Sequence, residues 1–463
     1  MQYELRIAGT HYDLLKKHLF PGDGLEAVAV VLCGRLVLPG RHILLSHAVH
    51  LIPHDQCERR VDRVNWRTDD LGPLLERAMK EDLAVLKIHS HPRGYDRFSS
   101  LDDRSDADLF ASAFGWNENG VHASAVMLPD DCGVFGRAFH PDLTSSPLSK
   151  VSVAGQVLQI WKATETATDK PGFSLRTAQA FGDGTQSKLR GLRVGVVGCS
   201  GTGSPTIEQL YRLGVGELVL VDPDHIEEKN LNRIINSTHA DSLVATAKTT
   251  LFARTIALGG FPTVVECFDK NLYTSREALR ALSSCDVVFG CMDSIDGRHL
   301  LNQLANFYLV PYFDMGVKLI ADGGGGIESI SGVVHYLEPG RSSLMSRKVY
   351  TPEGLLASGL RREDPKEHEI RVAQKYVVNV DVPSPAVISV NMFFSAFAVN
   401  EFLDRLHRFK NPGTGPFAKI TFDLSNHQIQ SEEEEEFEED HLLKRHVGRG
   451  DRSPYLNMPE LGN

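Results

Sequence analysis

The stretch KIHSHPRGYDRFSSLDDRSD, Lys87–Asp106, places His89 and His91 two residues apart, follows them with Pro92, and then brings Ser99 and Asp102. Two neutral imidazoles and one carboxylate form a three-ligand set for zinc that leaves the fourth position to water, and an open site of that kind is catalytic in type, since structural zinc is closed by four protein ligands. An isolated His-x-His is an ordinary polar strand end. The full string, with a six-residue spacer and a Ser-x-x-Asp, is much harder to obtain by chance. Its elements must then position it. Residues 82–89, DLAVLKIH, are apolar and β-prone and are expected to form a strand. A strand sends alternate side chains to one face, so His89 and His91 project together. Pro92 ends the strand. Ser99 and Ser100 open a helix with carboxylates in its first turn, from which Asp102 swings back toward the histidines.

The string resembles the motif of JAMM (JAB/MPN-plus) metalloproteases, which cut peptide or isopeptide bonds after the C-terminal glycine of ubiquitin-like proteins. The resemblance covers roughly residues 1–160 and implies a glutamate base on an early strand. GLEAVAVVLCGR supplies Glu26, the acid immediately before the apolar run 27–33 and preferred to Asp23 for that reason. Zinc lowers the pKa of its water, and Glu26 would move the proton to the leaving amine. Ser99 is a hydrogen-bond donor to the developing oxyanion or a helix cap.

A second constellation begins at GCSGTGS, where Gly198, Ser200, Gly201 and Gly203 form a tight turn that brings backbone toward a phosphate at a helix N-terminus. The flanking strands 192–198 and 217–222 are continuous apolar runs, a βαβ unit of a parallel sheet. Asp222 ends the second strand, where a carboxylate holds a ribose hydroxyl. To this point a nicotinamide enzyme is served equally well. Downstream, VDPDHIEEKNLNR carries Asp224, Asn230 and Arg233, Lys248 lies on the next expected helix, and Asp293 ends a later strand, 285–293. In this order, over roughly 175–335, the residues resemble the ThiF/MoeB/HesA family related to ubiquitin-activating enzymes. The resemblance implies ATP and Mg2+, with Asp222 on ribose, Arg233 and Lys248 on the triphosphate, and Asp293 on magnesium. It also places Arg176, in SLRTAQAFGDGTQSKL, on an N-terminal helix that reaches a partner subunit's ATP site, which implies a homodimer. Read singly, Arg233 and Lys248 are surface charges and Asp224 a turn cap.

The chain departs from the family where many relatives bind structural zinc. Ser343-Leu344-Met345-Ser346 and His441-Leu442-Leu443-Lys444 occupy the places of the two cysteine pairs, and hydroxyls and ammonium are poor zinc ligands, so no structural zinc is expected. No thiol stands where relatives accept the activated carboxylate. Cys291 is expected to be a packing residue, and Ser343 and Ser346 would be weak nucleophiles. The activated glycine is therefore expected to pass from the adenylate to an external acceptor.

The 463 residues allow two or three domains. A net charge of −11 argues against nucleic-acid binding. No apolar run has the length of a membrane span, the N-terminus lacks the pattern of a signal peptide, and seven scattered cysteines without a CxxC fit a reducing cytoplasm. The expected fold class is α/β: a JAB-type α/β metalloprotease domain at 1–163, a linker at 164–173 marked by Lys-Pro-Gly, a Rossmann-like doubly wound adenylation domain at 174–425, and a solvated acidic segment with C-terminal tail at 426–463. Strands at 285–293 and 310–317 and a buried helix at 386–406 complete the expected elements.

The functional expectation is a bifunctional enzyme of bacterial type. One head would hydrolyse at, and the other adenylate, the C-terminal glycine of one ubiquitin-like or sulfur-carrier protein, in a conjugation, antiphage or sulfur-transfer pathway. A separate conjugating enzyme is a further expected partner. A tether raises the effective concentration of a partner that both heads read. The alternative is a peptidase carrying a degenerate ThiF-like dimerisation or partner-binding scaffold.

Overall fold

The computed structural model describes residues 1–68, 71–163, 172–322, 324–366, 368, 387–411 and 416–462. The chain divides into two compact units. The first comprises Met1–Ala167, Asn306–Leu309 and Arg445–Asn463; the second comprises Thr168–Ala305 and Val310–Lys444.

In the first unit the strands are β1 (Gln2–Ala8), β2 (Val28–Leu38), β3 (Arg41–Leu51), the small pair β4 (Cys57–Arg59) and β5 (Val64–Trp66), β6 (Ala84–Ser90), β7 (His122–Met127), β8 (Val134–Phe139), β9 (Ser145–Ala154) and β10 (Leu158–Lys162). The large sheet runs β1-β3-β2-β6-β7-β8-β9-β10, and an added β1–β9 pairing closes it on itself. Helices α1 (Gly9–Leu19), α2 (Gly72–Glu81) and α3 (Ser100–Trp116) cover it. The apolar run of β2 has partners on both faces, which is why it does not alternate with polar residues. Ala29, Val31 and Cys33 pack with Tyr12, Leu15 and Leu19 of α1. Val28, Val30 and Leu32 pack with Leu75 and Ala78 of α2 and Phe110 and Phe114 of α3. Strand β6 splits likewise: Leu86 and Ile88 join the α1 side, and Val85 the α2–α3 side. By alternation, Lys87 and His89 share the face that α3 covers.

The second unit contains β11 (Arg193–Val197), β12 (Glu217–Val221), β13 (Val264–Phe268), β14 (Val287–Gly290), β15 (Tyr312–Ala321), β16 (Ile327–Leu337), β17 (Lys419–Asp423) and β18 (Gln428–Glu432). Their order is β13-β12-β11-β14-β15-β16-β17-β18. The first five are parallel, and β15 to β18 are antiparallel. The parallel part is doubly wound, and its order reverses between β11 and β14, where such sheets bind ligands. Its helices include α4 (Leu175–Arg190), α5 (Gly203–Leu213), α6 (His239–Leu243), α7 (Lys248–Leu258), α8 (Arg276–Ser283), α9 (Ile295–Tyr308) and α10 (Pro352–Glu363), followed by the long helix Ile388–His407.

Three expectations need correction. The strand expected at 285–293 stops at Gly290, so Asp293 lies in the loop before α9 rather than on the sheet. The strand expected at 310–317 extends to Ala321, because it forms a long antiparallel hairpin with β16. The acidic run is solvated over much of its length, with Glu433, Glu435, Glu436 and Glu438 exposed, but it is ordered and not solvated throughout. Its start is β18, and Glu434 is buried against Arg347, with Nη2 2.7 Å from Oε2. The Ser342 amide donates to the other oxygen at 2.8 Å. Arg347 also donates to the carbonyls of Ala418 and Tyr336, which leaves a buried cation that needs a carboxylate. Residues 445–463 group with the first unit, where the Gly34 amide donates to the Gly448 carbonyl and the Asp451 amide to the Arg35 carbonyl. A Cβ at Gly34 would come within 2.3 Å of the Arg449 carbonyl oxygen, so the approach requires glycine. Of the expected linker, residues 164–171 lie outside the described residues, as does Ala386 at the start of the expected long helix.

Candidate active sites

His89 lies near the end of β6, and β2 pairs antiparallel with β6 so that Val28 stands opposite His89. Continuing that register sets Glu26 opposite His91. The Ser90 amide donates to the Ala27 carbonyl, and the Ala27 amide donates to Ser90 Oγ, which extends the pairing. Helix α3 begins after Ser99, whose Oγ accepts from the Asp102 amide at 3.2 Å while Asp102 Oδ2 accepts from the Ser99 amide at 2.7 Å. This capping box fixes Asp102 in the first turn.

The result is a tight, mostly buried cluster. His89 Nε2 lies 3.1 Å from His91 Nε2 and 3.0 Å from Asp102 Oδ1, and His91 Nε2 lies 3.7 Å from Asp102 Oδ2. Tetrahedral zinc with bonds near 2.0–2.1 Å sets neighbouring ligands about 3.3 Å apart; the two imidazole nitrogens stand close to that spacing, and the Asp102 carboxylate reaches each of them with a different oxygen. Among the described residues this is the one cluster of three such side chains close enough to share an ion. His91 Nδ1 donates to the Tyr95 carbonyl at 2.6 Å, which turns Nε2 inward. Glu26 Oε1 lies 3.9 Å from His91 Nε2. Burial pushes the Glu26 carboxyl up to about 7, in the range that suits a base near neutrality. Burial opposes ionisation of Asp102 too, but contacts from His89 and His91 outweigh it and hold that carboxyl well below the usual carboxylate range.

Arg59 was not foreseen from the sequence. It donates to the carbonyls of Glu26 and Leu25 and holds both oxygens of Asp23, at 2.7 and 3.1 Å. Asp23 is thereby occupied, in keeping with Glu26 as the candidate base. The expected role of Ser99 as an oxyanion donor meets a different geometry. Its hydroxyl donates to Asp102 Oδ2 at 2.7 Å, so Ser99 serves as the helix cap.

In the second unit the glycine turn lies between β11 and α5. Gly198 has φ +89°, and a Cβ there would lie 2.6 Å from the Cys291 carbonyl oxygen; at Gly203 it would lie 1.8 Å from the Gly198 carbonyl oxygen. Gly201 faces Asn391 of the long helix. The Ser200 carbonyl accepts from the Ser204 amide and starts α5. Asp222, buried at the end of β12, accepts from the Cys199 amide at 2.7 Å and from the Asp224 amide at 2.9 Å. Lys248 Nζ lies 2.8 Å from Asp224 Oδ2 and 3.6 Å from Asp222 Oδ1. Burial raises the Asp222 carboxyl despite that ammonium.

The remaining expected residues do not converge on this group. Arg233 Nη1 donates to the Lys229 carbonyl and Asn232, although the Arg233 carbonyl accepts from Ser204 Oγ at the start of α5. Asn230 Oδ1 accepts from the Glu227 amide and closes its own short turn. Asp293 is exposed. Arg176 is exposed on α4 and donates to Gln179. Beyond β14, Arg298 pairs with the buried Asp314 at 3.1 Å, and Tyr312 Oη donates to the same carboxylate at 2.7 Å. A carboxylate inside the apolar run YFDMG was the signal for that pair. Desolvation pushes the half-buried Cys291 thiol up to about 12, a direction that disfavours the thiolate.

A family model described as the ThiF family matches residues 174–438, and one described as prokaryotic homologs of the JAB domain matches residues 10–135. Ubiquitin-like modifier-activating enzyme 5 of Aedes aegypti is 29% identical over 203 residues, 42% of this chain and 49% of that protein. The same enzyme of Drosophila mojavensis is 30% identical over 164 residues, 34% of this chain and 39% of that protein. The chain therefore spans about half or less of the length of these curated relatives. Among solved structures, E. coli MccB with ATP is 19% identical with a TM-score of 0.42, covering 57% of this chain and 72% of that one. No helix among the described residues is long and apolar enough to cross a membrane. With the matched region exceeding half of its length, the chain belongs to the ThiF family and carries a JAB-type domain ahead of that region.

Proposed function

We propose that the first unit is a zinc-dependent peptidase and the second an ATP-dependent adenylating domain, both acting on the C-terminal glycine of a ubiquitin-like or sulfur-carrier protein. The observation that carries this reading is the convergence of His89 Nε2, His91 Nε2 and a carboxylate oxygen of Asp102, with Glu26 Oε1 3.9 Å from His91. Zinc at these three atoms would supply a water of lowered pKa. Glu26 would accept a proton from the attacking water and deliver it to the leaving amine. Tyr95 orients His91, and Ser99 holds Asp102. An oxyanion role for Ser99 requires its hydroxyl to turn away from Asp102.

In the second unit Asp222 would hold ribose, with Asp224 and Asn230 ordering the loop beyond β12. The turn at Gly198, Ser200, Gly201 and Gly203 would approach the phosphates. Lys248 and Arg233 would neutralise the triphosphate and Asp293 would hold magnesium. The glycine carboxylate attacks the α-phosphorus, the bond to the β-phosphate oxygen breaks, and pyrophosphate leaves. Arg176 would act across a homodimer. With Cys291 held protonated, the adenylate would pass to an external thiol, sulfur donor or amine. No structural zinc is proposed at Ser343–Ser346. Ser343 Oγ donates there to Asp440 at 2.7 Å, a hydrogen bond where relatives carry metal ligands.

Zinc content together with ATP–pyrophosphate exchange, using a partner that ends in glycine, tests both heads. One zinc per chain with exchange supports the proposal. Zinc without exchange would favour a scaffold role for the second unit, a reading that the outlying positions of Arg233 and Asp293 motivate.

A further inference from the structure

Beside the ligand cluster, β6 and α3 carry a second contact of the same geometry. Lys87 and His89 are two apart on one face of β6, and Asp102 and Asp106 are four apart on one face of α3. The first rung is His89–Asp102 at 3.0 Å; the second is Lys87 Nζ to Asp106 Oδ1 at 2.7 Å. The second rung is buried, with Lys87 3% and Asp106 0% exposed. Lys87 also donates to Ser105 Oγ at 3.1 Å.

Arg137, from β8, closes the network. Its Nη2 and Nε lie 2.7 and 3.2 Å from Asp106 Oδ2, and its Nη1 lies 2.6 Å from Asp103 Oδ1. Both Asp106 oxygens are thus engaged by cations, and two positive charges meet two carboxylates. The guanidinium also lies 3.9 Å from the ring centre of Phe98, the residue that leads into Ser99. Apolar residues would hold this helix to the sheet without the desolvation cost of a buried charge network. What the network adds is rotation and register. With about 100° of turn per helical residue, Asp106 stands one turn beyond Asp102 and about 40° around the helix, and Asp103 about 100° around it on the same side, so α3 cannot rotate or slide far enough to withdraw Asp102 without breaking these contacts.

We propose that Lys87, Asp106 and Arg137 form a positioning clamp that fixes α3 so that Asp102 completes the metal centre with His89 and His91. The clamp rests on the zinc reading above but needs no substrate to test. In the full chain, zinc affinity is measured by competition with a chromophoric chelator, and ligand geometry by the visible spectrum of the cobalt(II) form. Asp106→Asn is expected to weaken zinc binding by about 10–100-fold, as outer-sphere partners do, and to alter the cobalt spectrum.

Glu4→Gln is the control. Glu4 is a buried carboxylate on β1 that also lies between two cations, Arg41 and Lys150, each at 3.1 Å. It is expected to lower the melting temperature without changing zinc affinity. Arg137→Lys keeps the charge, removes the fork and serves if Asp106→Asn does not fold; a smaller loss of the same kind is expected. Wild-type zinc affinity in both clamp variants, or an equal loss in Glu4→Gln, would overturn the clamp. A wild type that holds no zinc would overturn the metal reading and the clamp with it.

Discussion

In the first unit the groups that would meet the ion already touch one another. His89, His91 and Asp102 are within reach of a single centre, and Tyr95, Ser99 and Arg59 hold the residues around it. In the second unit only part of the expected set is together. Asp222, Asp224 and Lys248 form a charged knot, whereas Arg233 is bonded to its own turn and Arg176 and Asp293 face solvent. The contrast follows from ligand size. A single ion is bound by atoms a few ångströms apart, so its site is made by the fold and kept by burial. A nucleotide triphosphate is long and highly charged, and cations around it can be recruited from solvated loops as it binds. The carboxylates of Asp222 and Asp224 neutralise the Lys248 ammonium.

Variants of the two sites should therefore fail differently. The largest effect is expected from Glu26→Gln: about 10²–10⁴-fold lower cleavage of a ubiquitin-like C-terminal extension, with zinc content unchanged. His89→Ala should lose the zinc itself, and metal analysis of the two proteins side by side separates base from ligand. Unchanged zinc in His89→Ala would dissolve the contrast. Next, Lys248→Ala should slow pyrophosphate exchange by about 10²-fold, the scale for losing one charge-stabilising donor. It should also lower stability, because Asp222 and Asp224 then face each other without their cation. Arg233→Ala should impair exchange while leaving the melting temperature near that of wild type. Equal melting temperatures for the two variants would show that the knot is not pre-built.

Burial makes the first unit acid-sensitive. Desolvation, with Arg35 adding repulsion, pushes the His42 and His122 imidazoles down from 6.5 to about 4. Both therefore protonate more readily in the unfolded chain. Their contribution to stability is complete above pH 6.5 and is lost as pH falls through that window to about 4, on the order of 3 kcal/mol each at most. Thermal melts from pH 7 to 4 should show the loss, and His122→Gln should flatten it; parallel curves would refute it. The smallest effect is expected from Ser99→Ala, which removes the cap of α3 and should cost about 1 kcal/mol in a denaturant melt.

The clustering of His89, His91 and Asp102 was legible because their spacing is local: a strand end, a proline, a capping box and a helical first turn lie within twenty residues. The parallel strands were legible from their apolar runs, with ends displaced by up to four residues. The supporting cations were not. Arg59, Arg137 and Arg347 read as surface charges until the fold brings Asp23, Asp106 and Glu434 to them. Long-range pairing of that kind leaves no periodic mark in a chain. The burial of Glu434 within the otherwise exposed acidic run was missed for the same reason, since its partner Arg347 lies 87 residues earlier. Asn230 and Arg233 match a motif by order, but their side chains answer to the short turn in which they stand.

The first unit is discontinuous, and that has a consequence for biosynthesis. Residues 445–463 belong to it, with Gly448, Arg449 and Gly450 laid against Gly34 and Arg35 of β2. A ribosome delivers those residues only after the whole of the second unit has emerged. Of the two units, the JAB-type one begins earlier in the chain and is thus the later to be completed, and a nascent chain that stalls within the ThiF region leaves Gly34 and Arg35 of β2 without the segment that covers them. Premature termination would not release a finished JAB-type unit.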